Sequence, residues 1–171
     1  YPDVPCFLAD GRNFIFHSPD GPMVCYTGKK VRTRPLFTDH KPRHIVVTFD
    51  GRFACYTEQD SRQGGRLMLY RLNLETFRSE LLFKAVRRVP GTNLPVKRFP
   101  RIQTVSSDNS CVGTTSCFLG DGKTCNAPFG IFVIDLDSGR VRLVAEGPDF
   151  INPHLQYCRA TDPEVSHDLM I

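Results

Sequence analysis

The sequence predicts an all-β protein, a β-propeller fragment of about three four-stranded blades plus the inner strand of a fourth. Two observations predict it. First, a proline, a polar residue and a β-rich run leading to an Asp-led turn occur four times. The copies run from Pro2-Asp3-Val4 to Asp10-Gly11-Arg12, from Pro42-Arg43-His44 to Asp50-Gly51-Arg52, from Pro100-Arg101-Ile102 to Asp108-Asn109-Ser110, and from Pro153-His154-Leu155 to Asp162-Pro163. The proline stands eight residues before the Asp in the first three copies and nine before it in the fourth. Second, a further hairpin follows the turn in the second and third copies, with a shorter version in the first, so the whole module repeats and not the turn alone.

The elements follow in order. Arg12–His17 and Arg52–Thr57 are short runs of aromatic and apolar residues, as strands require. Gly11 and Gly51 supply the positive φ of a tight turn. In the second copy Arg66–Leu72 turns at Asn73-Leu74-Glu75-Thr76 into Arg78–Phe83. In the third, Gly130–Leu136 turns at Asp137-Ser138-Gly139 into Arg140–Val144. The first copy has a shorter version, Pro22–Tyr26, turning at Thr27-Gly28-Lys29. The Asp-to-Asp spacings are 40, 58 and 54 residues, at or above the ~40–50 residues of a propeller blade. The excess maps to 85–99 and 111–129. The blades are therefore expected at about 1–39, 40–97, 98–150 and 151–171, the last incomplete. A β-sandwich is the competing architecture, but its strands do not recur as one module with one turn. Closing a propeller takes about 4–8 blades, so the chain reads as a piece of a longer protein with the remaining blades elsewhere.

Composition excludes some functions. The chain is 40% hydrophobic and 23% charged, with thirteen Gly and thirteen Pro, which favours turns over long helices. Its formal charge of +4, from 22 basic and 18 acidic residues, is too small and too scattered for a nucleic-acid partner. Lys29-Lys30 and Arg87-Arg88 read as loop charges. No apolar run approaches the ~20 residues of a membrane helix. The seven cysteines are odd in number and contain no C-x-x-C pair, against a zinc knuckle or a full disulfide framework. Cys6, Cys25, Cys55 and Cys158 lie in apolar runs and read as reduced core thiols. That slightly favours a cytoplasmic over a periplasmic setting. Cys111, Cys117 and Cys125 flank a loop and could pair in an oxidising compartment. No nucleophile elbow or phosphate loop is present, and Gly120-Asp121-Gly122-Lys123-Thr124 lacks Walker spacing.

The residue after each proline is the functional candidate. Inner strands of a propeller start at one mouth of the central channel, and a proline suits such an unpaired beginning. Equal register brings Asp3, Arg43, Arg101 and His154 together there. Two guanidiniums and an imidazole beside a carboxylate suit a carboxylate-bearing ligand. The same residues could instead salt-bridge to one another or cap loops. His17, His40 and His167 read as surface residues, His167 without a partner in view. His44, one residue out of register, points toward a neighbouring blade.

The recurring Phe/Ala-Asp-Gly-Arg and Leu69-Tyr70-Arg71-Leu72-Asn73-Leu74-Glu75-Thr76 resemble TolB-type (WD40-like) propeller repeats, a likeness that implies fold alone. Asn152-Pro153-His154-Leu155-Gln156-Tyr157 with Ala160-Thr161-Asp162-Pro163 resembles the His-x-Gln-aromatic … Thr-Asp-Pro blade start of oligogalacturonate lyases. That resemblance implies a divalent metal, manganese in kind, with His154 and Gln156 as its ligands. The family also uses a His base and an Arg near the substrate; the shared register of the blade starts, not the resemblance, offers His154 and Arg101 as catalytic and Arg43, Arg101 and Asp3 as substrate-binding residues. The resemblance also implies a role in pectin degradation and carbohydrate metabolism. The family brings further histidines to its metal, whereas the equivalent blade starts here carry Arg43 and Arg101. The alternative expectation is a non-catalytic TolB-like propeller binding a protein or other ligand at its mouth.

Overall fold

The computed structural model describes residues 6–40, 42, 44–60, 66–92, 96, 101–114, 117–119, 128–149 and 155–170. All its regular elements but an isolated 3-10 position are strands. The best-formed sheet has four antiparallel strands in sequence order, β4 (Ile45–Val47), β5 (Phe53–Asp60), β6 (Arg66–Asn73) and β7 (Ser79–Val86). The next repeats it with β8 (Ile102–Val105), β9 (Cys111–Thr114), β11 (Phe129–Asp135) and β12 (Val141–Gly147). Here β10 (Cys117–Phe118) also pairs with β11, so the second strand comes in two pieces. Part of 111–129, expected as an insertion, is therefore strand.

Before these sheets, β1 (Phe14–Ser18), β2 (Gly21–Tyr26) and β3 (Arg32–Pro35) form three strands, with a bridge from Phe7 to Phe14 marking the inner position. After them, β13 (Gln156–Tyr157) pairs with β14 (Leu169–Met170), so the fourth unit has a second strand as well as an inner one.

The two complete blades match residue by residue. The pairing of third and fourth strands shifts register at Leu69/Tyr70 in one blade and at Ile131/Phe132 in the other. These are aligned positions. The turns between those strands are also equivalent. Asn73 Oδ1 accepts the Glu75 and Thr76 N–H groups, and Asp135 Oδ1 accepts those of Asp137 and Ser138. The left-handed position that closes the turn is Gly139 (φ 68°) in one blade but Phe77 (φ 56°) in the other.

Alternation along each strand sends successive side chains to opposite blade faces. Ile45, Val47, Ala54, Tyr56, Leu72 and Leu74 face the first blade and pack on Ile15, Val24 and Leu36. Val46, Cys55, Leu67, Leu69 and Ala85 face the third and pack on Val105, Val112, Phe132, Ile134 and Val141. Hydrophobic cores thus lie between blades, and each blade is stabilised by its neighbours. Cys25, Cys55 and Cys111 are buried free thiols, with Cys6 and Cys158 half-buried and also free. Burial pushes the Cys55 thiol up to about 12. All four expected thiols are free, but only Cys25 and Cys55 lie in the core, and Cys111, whose pairing the sequence left open, is a free thiol packed with Val133 and Tyr157.

Candidate functional site

The Asp-led turns set the register on which the predicted site depends. Asp10 Oδ1 accepts the N–H groups of Arg12 and Asn13, Asp50 Oδ1 that of Arg52, and Asp108 Oδ1 that of Ser110. Each carboxylate closes the turn onto the strand that follows. The residue after the Asp has positive φ in all three: Gly11 (64°), Gly51 (68°) and Asn109 (63°). Asparagine is among the side chains that tolerate this region.

Successive turns are tied to one another. The Ala9 N–H donates to the Gly51 carbonyl at 3.1 Å, and the Phe49 N–H donates to Asn109 Oδ1 at 2.6 Å. The Ser107 hydroxyl donates to the Ala160 carbonyl. The four copies of the turn therefore sit side by side at one end of the inner strands.

At the starts, Arg101 is exposed and immediately precedes β8, while Pro42 is buried. Gln156 opens β13, half-buried and paired with Met170. The two inner strands run alongside each other. The Leu155 N–H meets Gln103 Oε1 at 3.4 Å and the Tyr157 N–H meets Thr104 Oγ1 at 3.3 Å. Leu155 thus lies beside Gln103 and Tyr157 beside Thr104. Asp3, Arg43 and His154 themselves lie outside the described residues. His44 is half-buried. Among the described residues no three His, Cys, Asp or Glu side chains converge as metal ligands. Gln156 is the sole described member of the proposed pair, and one carboxamide does not make the six-oxygen environment that a manganese-like ion prefers.

His40 differs from the surface reading, while His17 and His167 are exposed as expected; His167, read as having no partner in view, has one. His167 Nε2 lies 2.8 Å from Asp108 Oδ2 and 3.0 Å from Ser110 Oγ, joining the last turn to the third Asp-led turn. His40 is half-buried between Asp39 (2.7 Å) and Glu58 (3.3 Å), with its ring 4.5 Å from that of Phe37. It lines a groove of about 700 Å³ between the first two blades, with Tyr56, Tyr70, Phe77 and Ser79. Burial raises the Tyr56 and Tyr70 phenols above their ordinary value, with the Glu58 charge adding to the shift in both. The Ser79 hydroxyl bond to Tyr56 opposes part of it. No local motif marks this groove, because Phe37, Tyr56 and Tyr70 are far apart in sequence.

Among solved structures the chain is similar to β-propellers. It matches an oligogalacturonate lyase in complex with manganese at 15% identity and a TM-score of 0.55, over 85% of this chain and 38% of that one. It matches TolB from Acinetobacter baumannii at 15% identity and a TM-score of 0.46, over 85% and 33%. A putative TolB from Agrobacterium tumefaciens gives 14%, 0.45, 85% and 51%. The chain thus has the fold of part of a β-propeller, with TolB-like proteins and a lyase among its structural neighbours. It spans a third to a half of those chains. No protein-family model and no curated protein matches the sequence.

Proposed function

We propose that this chain forms part of a propeller polysaccharide lyase that binds an acidic, oligogalacturonate-like saccharide at its central mouth. The observation that supports this reading is the repeat itself, in which Asp3, Arg43 and Arg101 stand seven residues before the Asp of the turn and His154 eight before it. Arg43 and Arg101 would clamp the uronate carboxylate, each guanidinium offering two parallel N–H donors. Neutralising that carboxylate makes the neighbouring C5 proton acidic. Neutral His154 would remove it as general base, a contribution on the order of 10²–10⁴-fold. The C5–H electron pair becomes the C4–C5 double bond, the C4–O bond breaks, and the departing oxygen takes a proton from water. Asp3 would orient an arginine. A manganese-like cation could share the carboxylate with Gln156, but the described donors do not hold one, and no step above requires it.

The test is a continuous assay of the protein on oligogalacturonate, with and without Mn²⁺, following the ultraviolet absorbance of the unsaturated product. Product formation, reduced at least 100-fold by His154→Ala, is expected. Saturable binding without product under either condition would overturn the lyase reading and leave a non-catalytic, TolB-like propeller.

A further inference from the structure

The two complete blades differ at aligned positions on the face each turns toward the preceding blade. Where the third carries buried Phe132 and Val141, the second carries half-buried Tyr70 and exposed Ser79. Gly139 in the third corresponds to Phe77 in the second. The cover explains the difference. The third blade is roofed by β6 and β7, eight residues each, and a Cβ on Gly139 would come within 2.9 Å of Phe83 on β7. The second blade packs on Ile15, Val24 and Leu36, and the outer strand of its neighbour is β3, only four residues long and exposed throughout. The same layer that is dry between blades two and three is therefore an open groove between blades one and two.

Its polar groups are sorted by position. At the turn end, the Arg34 guanidinium lies 3.8 Å over the Phe77 ring and 5.5 Å from that of Tyr26. At the other end, Asp39 and Glu58 flank His40 beside the half-buried rings of Phe37 and Tyr70. The Tyr70 ring is stacked on the buried Tyr56 ring at 5.1 Å. Four residues of β5 separate Ala54, which is level with Ser79 through Leu72, from Glu58, a span of about 13 Å. The acidic end thus presents two carboxylates, both against His40, beside the rings of Phe37 and Tyr70.

We infer that this inter-blade groove is a binding site for an organic cation, an ammonium or guanidinium group on an aliphatic stem. Aromatic faces attract such a head through their quadrupoles, and carboxylates pair with it. The chain's own Arg34 occupies an equivalent seat on Phe77. The ligand is a small free amine or a Lys/Arg side chain of a peptide, and its chemistry is opposite to that proposed for the mouth. This inference does not rest on the lyase reading.

The test is titration of the protein with agmatine, with a short acetylated and amidated Gly-Arg-Gly peptide, and with neutral butylurea, followed by NMR shifts of backbone amides. Shifts at 36–40, 56–58 and 70 are expected for both cations and not for butylurea. Glu58→Gln and Asp39→Asn should each weaken binding at least threefold and together at least tenfold; the Asp39 side chain is 82% exposed, so its change disturbs no packing. Tighter binding of the peptide than of agmatine would identify a protein segment as the ligand, and the reverse a free amine. Shifts at the groove with butylurea equal to those with agmatine, or affinities unchanged in the double variant, would overturn the inference. So would an absence of groove shifts with either cation.

Discussion

Asp108 concentrates the chemistry of the Asp-led turn in one side chain. Burial alone would raise its carboxyl, but hydrogen bonds from Ser106, from the Ser110 N–H and hydroxyl, and from His167 outweigh it and hold it at about 2. A carboxyl depressed in the folded state stabilises the fold fully above its unfolded value near 3.8. That stability is lost as pH falls toward 2. Asp108→Asn should therefore lower stability at pH 6 and flatten the stability–pH curve between about pH 4 and 2. Urea midpoints of both proteins across that range check it, and parallel curves would show that the pairing contributes nothing. The turn was legible in the sequence because its bonds join residues two or three apart. His167 was not, because its partner lies 59 positions away and only the docking of the last turn brings it there.

Among elements, the inner turns carry the contacts between blades, and two glycines separate their roles. Gly11 and Gly51 have nearly equal φ, but an added Cβ meets nothing within 4 Å at Gly11 and falls on the Leu8 and Ala9 backbone at Gly51. Gly11→Ala should cost about 1–2 kcal/mol, the price of the left-handed backbone alone. Gly51→Ala should cost ~3 kcal/mol or more, since neither backbone can yield without parting the blades. Urea denaturation compares them, with soluble yield as readout if Gly51→Ala does not fold; equal losses would contradict the close approach. Sequence showed both as turn glycines. It did not show which one a neighbouring blade touches, nor that Phe77 takes the place Gly139 holds, because both depend on the next sheet. The His40 groove escaped for the same reason: it exists because β3 is short where β7 is long.

For the molecule as a whole, stability resides between blades. Phe132 is 2% exposed and packs in the layer shared by the second and third blades. Phe132→Ala should cost roughly 3–5 kcal/mol and destabilise both sheets in one transition. Hydrogen exchange should show β5–β6 amides losing protection together with those of β11; loss confined to β11 would mean the blades fold independently. At this scale the repeat was readable because the module recurs with its turn, its paired strands and its alternation intact. The mouth was readable only as a register, since Asp3, Arg43 and His154 lie outside the described residues. We propose that the residues after the four prolines act as one anion-binding site. The most direct measurement is the binding isotherm of trigalacturonate on the wild-type protein, Arg101→Ala and the double variant Arg43→Ala/Arg101→Ala. Saturable binding weakened at least tenfold by the first change, and further by the second, is the predicted result. Affinity unchanged in both variants would contradict it.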